Sequence, residues 1–273
     1  MSSKRILLIT GANTGIGYET VRFLLESPKS YHILFGSRSA SKGEEAIARL
    51  KKEFPSTSSS LELLEIDVTS DDAISNAFKR VNEKHGLLDV LVNNAGASFD
   101  QSLSKTKSDE VDIASVRESF NKAFDVNTSS ANVMTYVFAP LLLKSSDPRL
   151  LFITSGLSNL TAMEKGGLMP HLPNYVTPAG WPKPLSVVGY RSSKAGLNMV
   201  MSSWHWLFKQ DGVKVWCISP GFLATNLGGN QELLKKMGAG EPSRGGELIK
   251  RVIEGERDAD VGKIVSQDGV QSW

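Results

Sequence analysis

In the run Tyr190-Arg-Ser-Ser-Lys194, a phenol and an amine stand at a spacing that could move a proton. Where such a run opens a helix, residues i and i+4 share one face. An ammonium group beside a phenol favours the phenolate and lowers its pKa, which makes tyrosine a general acid or base usable near neutral pH. Of the five tyrosines only Tyr190 has a lysine four residues on, and one such pair alone is a weak signal. Ser155 adds weight, because it stands just past an apolar run at 150–154 that reads as a strand. A hydroxyl there can hold a carbonyl oxygen for protonation, and in open α/β sheets ligands bind at the carboxyl ends of strands.

A second constellation lies at the start of the chain. Residues 6–10, Ile-Leu-Leu-Ile-Thr, read as a strand buried on both faces, as in a parallel sheet. Gly11, Gly15 and Gly17, with Asn13, Thr14 and Ile16 between them, then turn the chain into a helix over 18–25. Glycine permits positive φ and a close approach of phosphate to the backbone, and the helix start offers N–H groups and a positive dipole end. Strand before and helix after are the context that dinucleotide binding requires; a turn with no ligand is the plainer alternative.

The remaining elements alternate. Strands are expected at 31–35, 61–66, 88–92, 150–154, 213–218 and 264–266, which with the first makes seven. Helices are expected from a capping box at Ser41 and Glu44 to about 54, after Ser70 with Asp71 and Asp72 at its positive end, over 113–124, 128–144, 190–208 and near 246–253. No composition shift or repeat divides the chain. The pattern implies a single doubly wound α/β Rossmann domain with a seven-stranded parallel sheet over 1–273. The helices at 128–144 and 190–208 are apolar nearly all round, so a second subunit, as in a homodimer, or another part of the chain must cover them.

Composition narrows the function classes. Forty per cent apolar and 22% charged residues among 273 suit one sizeable core, and a net charge of +2 points to neither a nucleic-acid groove nor a membrane patch. Cys217, the single cysteine, lies in an apolar run and reads as core; it allows no internal disulfide and no CxxC metal site. The first strand begins so early that no signal peptide fits before it, and a cytoplasmic protein is the expectation.

Thr10-Gly-Ala-Asn-Thr-Gly-Ile-Gly17, Asn93-Asn94-Ala95-Gly96, Asn127, Ser155, Tyr190-x-x-x-Lys194 and Pro220-Gly221 together resemble the short-chain dehydrogenase/reductase family, in family order along the whole chain. The resemblance implies strand order 3-2-1-4-5-6-7 and a nicotinamide dinucleotide beside Ser155 and Tyr190. By that resemblance Tyr190 donates the proton, Ser155 orients and polarises the carbonyl oxygen, and Lys194 holds the nicotinamide ribose and lowers the pKa of Tyr190. Asn127 holds a water linked to Lys194. Asn94, Ala95 and Gly96 line the adenosine ribose, Asp67 and Val68 contact the adenine, and Leu223 with Thr225 anchors the carboxamide beside Pro220 and Gly221. Plainer alternatives are a helix cap at Asn127, a strand-end turn at Asp67 and a simple turn at Pro220-Gly221.

NAD sites of this kind usually carry an acid about twenty residues after the glycines, on the ribose 2′-hydroxyl. Here the second strand ends Phe35-Gly36-Ser37-Arg38, with no carboxylate before Glu44. Ser37 cannot repel a 2′-phosphate and Arg38 can pair with it, unless it is an ordinary solvated arginine. The expected cofactor is NADP(H), and with it reduction of a ketone to an alcohol.

Between Ser155 and Tyr190 lie thirty-four residues, 156 to 189, more than the family usually has. Carbonyl-reductase-like members carry a similar insertion. Five of the eleven prolines fall in it, which implies an ordered loop without long regular structure. With Met163, Leu168, Met169, Tyr175 and Trp181, the insertion at about 158–186 is expected to form one wall of the substrate site opposite Phe222 and to admit a bulky apolar or aromatic ketone; covering the outer helices is the other reading. A hydrolase built on Ser155 with His171 or His205 lacks a GxSxG elbow. A dinucleotide-binding regulator on the same fold would be expected to lose the tyrosine or the lysine.

Overall fold

A computed structural model of the chain describes residues 4–100, 112–166, 176–181 and 187–273. Among these residues the strands β1 (Arg5–Ile9), β2 (Tyr31–Ser37), β3 (Ser60–Glu65), β4 (Val90–Asn93), β5 (Arg149–Ile153), β6 (Lys214–Ser219), β7 (Ile264–Ser266) and β8 (Gly269–Gln271) form one sheet in the order β3-β2-β1-β4-β5-β6-β7-β8. The first seven run parallel; β8 returns antiparallel along β7. The sheet therefore has one strand more than the seven expected. Gln267 and Asp268 make the reversal, and Gly269, at φ +128°, opens β8 opposite Ser266.

The apolar strands alternate between two faces. Leu7, Ile9, Ile33, Phe35, Val92, Ile153 and Trp216 pack beneath α1 (Gly15–Glu26), α2 (Ala40–Glu53) and α9 (Pro242–Ile253). Leu8, Leu34, Leu91, Leu150, Phe152 and Val215 face α3 (Asp71–His85), α5 (Ser130–Leu142) and α7 (Val188–Leu207). Both faces are covered, which is why the strands read as continuous apolar runs. Cys217 belongs to the second core, as its neighbours imply. The chain goes from β1 outward to β3 and then crosses back to β4, so the order reverses between β1 and β4 and leaves a crevice at their carboxyl ends.

Three local expectations are corrected. The helix after β2 starts at Ala40, with the Ser39 hydroxyl, not that of Ser41, accepting from the Lys42 N–H at 3.4 Å. The two helices expected at 113–124 and 128–144 are one continuous path: α4 (Ile113–Phe124) passes through a π-helical turn, Asp125–Ser129, into α5. The insertion begins with a short helix, α6 (Leu160–Glu164), and another, α8 (Gln231–Lys236), follows β6. Among the described residues no helix is long and apolar enough to cross a membrane.

Candidate active site

At the carboxyl edge of the sheet the glycine turn is shaped by two different constraints. Gly11 and Gly15 take φ of +63° and +57°, a region open to glycine at little cost. Gly17 is needed for space instead: a Cβ there would stand 2.5 Å from the Gly11 carbonyl oxygen and 2.6 Å from Nδ2 of Asn94. The N-cap of α1, Thr14, is exposed and makes no side-chain cap hydrogen bond, so no side chain of the cap fills the positive end of the helix. That arrangement fits a phosphate group. Asn13 lies partly exposed beside it. Ile16 packs inward, its Cγ1 3.2 Å from where a Cβ on Gly245 would be. On the far side Asn226 donates to the Thr14 hydroxyl at 3.2 Å, and the Thr225 methyl lies 3.7 Å from a Cβ built on Gly15. Pro220 and Leu223 pack on Gly245 of α9, while Gly221 turns the chain at φ +101°.

The residues after β4 hold this turn. Thr10 accepts through its hydroxyl from the Asn94 and Ala95 N–H groups, both at 3.0 Å, and Asn94 Nδ2 donates to the carbonyls of Thr10 at 2.7 Å and Gly11 at 3.2 Å. The amide of Asn94 is thus a clip on the glycine turn. Ser37 differs from expectation in the same way: it is buried, its hydroxyl donates to the Ser39 carbonyl at 2.8 Å, and it presents no group to a ligand. Next to it Arg38 is exposed. Asp67 closes a turn by accepting from the Thr69 N–H and hydroxyl at 3.0 and 2.8 Å. Those bonds hold its carboxyl below the usual range, with a smaller contribution from Arg38. Val68 packs partly buried on the core.

Tyr190 lies in the first turn of α7, nearly buried, with the Ser155 hydroxyl beside its phenol. Burial pushes the phenol up to about 12, and the Ser155 hydroxyl opposes the rise. The expected lowering by Lys194 is not found. The Lys194 amine is turned to the Ile153 carbonyl at 2.7 Å and stands 5.9 Å from the centre of the Tyr190 ring. Burial pulls Lys194 down to about 8. A Cβ on Gly96 would lie 3.0 Å from Oδ1 of Asn127 and 3.3 Å from Nζ of Lys194, so these three residues meet beside the end of β4.

Asn127 projects from the π-helical turn and is no helix cap. Its side chain accepts from the Ala97 N–H at 2.9 Å and donates to the Ala97 carbonyl at 2.8 Å and the Ser193 hydroxyl at 3.0 Å. Ser193 in turn donates to the Tyr190 carbonyl at 2.8 Å. Beneath Ser155, Thr154 donates to Asn198 at 2.6 Å, Asn198 donates to Ser158 at 3.0 Å, and Ser158 donates to the Ser155 carbonyl at 2.6 Å. Single-residue chemistry does not flag Thr10, Ser158, Ser193 or Asn198, because each is functional only through a partner far away in sequence.

The arrangement unites a phosphate-sized turn, an exposed arginine and a hydroxyl–phenol pair along one edge. The short chain dehydrogenase family model matches residues 5–166. The chain belongs to the short-chain dehydrogenase/reductase family. It is 45% identical over 276 residues to the short-chain dehydrogenase/reductase tropE of Talaromyces stipitatus, covering 98% of this chain and 97% of that one. It is 44% identical over 282 residues to the short-chain dehydrogenase/reductase eupG of a Phoma species, covering 99% and 98%. Among solved structures, the NADPH-bound carbonyl reductase from chicken fatty liver superposes with a TM-score of 0.74 at 22% identity over 99% of both chains. Salutaridine reductase from Papaver somniferum does so with 0.70 at 21%, over 96% of this chain and 99% of that one.

The expected substrate wall is only partly within view. Met169 and Tyr175, like Leu168, lie outside the described residues. Trp181 is 71% exposed. Phe222 is half-buried, and Met163 on α6 is bonded through its sulfur to the Arg191 guanidinium, next to Tyr190. The final residues also reach this segment: the Trp273 carbonyl accepts from the Thr161 N–H at 2.7 Å and hydroxyl at 2.9 Å.

Proposed function

We propose that this protein is an NADPH-dependent carbonyl reductase that converts a small-molecule ketone to an alcohol. The observation that carries the reading is the placement of the Ser155 hydroxyl beside the Tyr190 phenol at the carboxyl edge of the sheet. NADPH, when bound, supplies the hydride that adds to the carbonyl carbon. The glycine turn and the start of α1 would hold its pyrophosphate, Arg38 its 2′-phosphate, and Lys194 its nicotinamide ribose. Gly96, Pro220, Gly221, Leu223 and Thr225 would line the same channel. Ser155 orients the carbonyl oxygen, and Tyr190 gives that oxygen its proton. A phenol held at about 12 is fully protonated at neutral pH yet remains a far stronger acid than an alcohol, so proton transfer to a developing alkoxide runs downhill. Lys194, mostly protonated below about 8, would hold the nicotinamide ribose beside the phenol, and the phenolate left behind regains its proton from solvent through the Asn127 region.

The NADPH-bound carbonyl reductase neighbour supports the cofactor assignment. Both ends of the 158–186 segment are tied beside the reaction, by Ser158 at one end and Tyr190 just beyond the other. That placement supports a substrate site walled partly by the segment, with Phe222 on the opposite rim, and a fairly bulky apolar or aromatic ketone. Tyr136, Met199 and Trp206 are exposed on α5 and α7, which supports a second copy of the chain covering them.

The test is NADPH oxidation with a panel of small and bulky aromatic ketones. Turnover with the bulky ketones is expected, and Tyr190→Phe should lower kcat by about 10³-fold or more while retaining NADPH binding. Wild-type turnover in that variant would remove the mechanism; no turnover with any ketone would favour a dinucleotide-binding regulator.

A further inference from the structure

The helix that carries Tyr190 has no cap of its own. The N-cap residue of α7, Val187, is apolar and makes no side-chain cap hydrogen bond. The first N–H groups of a helix have no partner inside it, and when buried they need one from elsewhere. Here the partner comes from ninety residues away in the chain. Asp100, beyond the end of β4, accepts the Gly189 N–H on Oδ1 at 2.8 Å and the Tyr190 N–H on Oδ2 at 2.9 Å. The Ser98 hydroxyl reaches Oδ2 at 3.5 Å.

Asp100 is 3% exposed and, among the described residues, has no lysine, arginine or histidine within ion-pair distance. A buried carboxylate without a cation is expensive unless hydrogen bonds and a favourable field replace the water it has lost. Two converging N–H groups and the positive end of a twenty-residue helix, Val188–Leu207, supply both. Gly189 completes the fit: a Cβ there would stand 3.3 Å from Oδ1 and 3.6 Å from Oδ2 of Asp100, with the Ala123 methyl on its other side, also at 3.6 Å. The carboxylate occupies ground that a side chain at 189 would crowd.

A neutral cap would suffice to start a helix, and Ser, Thr or Asn does so at most N-termini. Asp100 does something more specific, because one of its two bonds ends on the backbone of Tyr190 itself. The other constraints on that residue are the Ser193 hydroxyl on its carbonyl and Ser155 on its phenol. The carbonyl is held from within α7, whereas the N–H is held by Asp100 from beyond β4 and the phenol lies beside Ser155 at the end of β5. We propose that Asp100 is a positioning residue for catalysis: its carboxylate fixes the first turn of α7 so that the Tyr190 phenol meets the Ser155 hydroxyl, and Gly189 provides the space for it. The proposal rests on the reading of Tyr190 as the proton donor.

Asp100→Asn is nearly isosteric but leaves one oxygen for two N–H groups and turns an NH₂ toward one of them. Misplacing a reacting group by about an ångström can lower turnover about 100-fold, so kcat in Asp100→Asn should fall about 10- to 100-fold. KM for the ketone and the NADPH dissociation constant, read by cofactor fluorescence, should stay within about twofold of wild type. Hydrogen exchange at the Gly189 and Tyr190 amides should quicken. The deciding comparison is the double variant: placed in a Tyr190→Phe background, Asp100→Asn should cost little further turnover, since its effect acts through the phenol. Gly189→Ala keeps the charge and pushes the carboxylate aside, and should lower kcat about 3- to 10-fold with NADPH affinity retained.

The proposal is overturned if Asp100→Asn turns over like wild type while exchange quickens, which would leave Asp100 a cap and nothing else. It is overturned equally if the loss is as large in the Tyr190→Phe background as in wild type. Should Asp100→Asn fail to fold, Gly189→Ala decides, and undiminished kcat there refutes the role. Full activity of Tyr190→Phe alone would instead refute the reading of the proton donor, an outcome separate from all of these.

Discussion

The two edges of the sheet handle charge in opposite ways. Where the parallel strands begin, charges are paired. Arg149, only 5% exposed, bonds Asp258 at 2.6 Å and Asp147 at 3.0 Å; Lys214 reaches the same two acids at 2.9 and 2.7 Å; and Arg5 adds a contact to Asp147 at 3.2 Å. Glu62 on β3 gathers Arg80, Lys84 and His32 at 2.8 to 3.0 Å. Where the strands end, the charges around Tyr190 are held differently. Lys194 is buried against a carbonyl, Asp100 against two N–H groups, and Arg38 is exposed. Backbone there is clipped by neutral amides and hydroxyls instead: Asn94, Asn127, Asn198, Thr10 and Ser158. An ion pair satisfies both partners and leaves neither for a ligand. A charge held by backbone dipoles remains available to one.

Lys194 is the sharpest test of that contrast, because its removal should move activity and stability in opposite directions. Lys194→Met is expected to lower turnover by about 10²–10⁴-fold, as loss of a group that supports proton transfer does. The same change removes a buried unpaired ammonium and should stabilise the fold by about 1–3 kcal/mol. The pH dependence has a defined sign. The folded-state value is lowered from 10.5 to about 8, so between those pH values the unfolded chain binds more protons than the native one. Wild-type stability should therefore rise with pH from about 8 to about 10.5 and level off above. Urea unfolding across that range should show the rise in wild type and not in Lys194→Met; its persistence in the variant would assign it to another group.

Arg149→Ala is the counterpart at the other edge. It takes the buried cation from Asp258 and Asp147, leaving them to Lys214 and Arg5, and removes a guanidinium that lies 5.5 Å from the Trp216 ring centre. A loss of about 3 kcal/mol in urea unfolding is expected, with kcat changed less than about twofold. A large fall in kcat with stability intact would dissolve the division between the edges.

Arg38→Ala should act at the carboxyl edge alone. Losing a charge-assisted pair with the 2′-phosphate is expected to cost about 1.5–3 kcal/mol, or about 10- to 100-fold in NADPH affinity, with NADH affinity barely changed and stability untouched. An unaltered NADPH/NADH ratio of kcat/KM would put the 2′-phosphate elsewhere.

The carboxyl edge was readable in the sequence to the extent that its residues are punctuated. Glycines between a strand and a helix, Tyr190 with Lys194 at one helical turn, and Ser155 after an apolar run each announce themselves within a few positions. Alternation of strands with helices implied a doubly wound parallel sheet, and the family resemblance implied its strand order. What escaped was pairing at long range. Asn94 and Ser37 read as ligand contacts, and only the fold shows that the Asn94 Nδ2 also bonds Thr10 and Gly11 and the Ser37 hydroxyl bonds Ser39. The π-helical turn that swings Asn127 toward Ala97 appeared as a gap between two helices, since periodicity breaks in the same way at both. The phenol of Tyr190 was expected to be lowered by a lysine one turn on, yet spacing says nothing of burial, and burial prevails.

The smallest expected effect belongs to Glu62, and it tests whether pairing at the amino edge stabilises the fold at all. Burial alone would raise its carboxyl, but hydrogen bonds from Lys84, His32 and Arg80 outweigh burial and bring it from 4.5 to about 2. A carboxyl lowered in the folded state contributes stability that is complete above its unfolded value and is lost as pH falls through the folded one. The window is thus about 4.5 down to about 2. His85 beside it is lowered below 6.5, chiefly by burial and then by His32, so its protonation begins to weaken the fold at higher pH than Glu62 does. In acid titrations of stability, Glu62→Gln should abolish the step below 4.5 and leave the His85 step below 6.5, which His85→Gln should remove. Because the Arg80 and Lys84 side chains are 52% and 55% exposed, the Glu62 contribution should amount to only about 1 kcal/mol and shrink further in salt. An acid step in Glu62→Gln equal to that of wild type would show that this edge owes its stability to packing, with its ion pairs contributing nothing measurable.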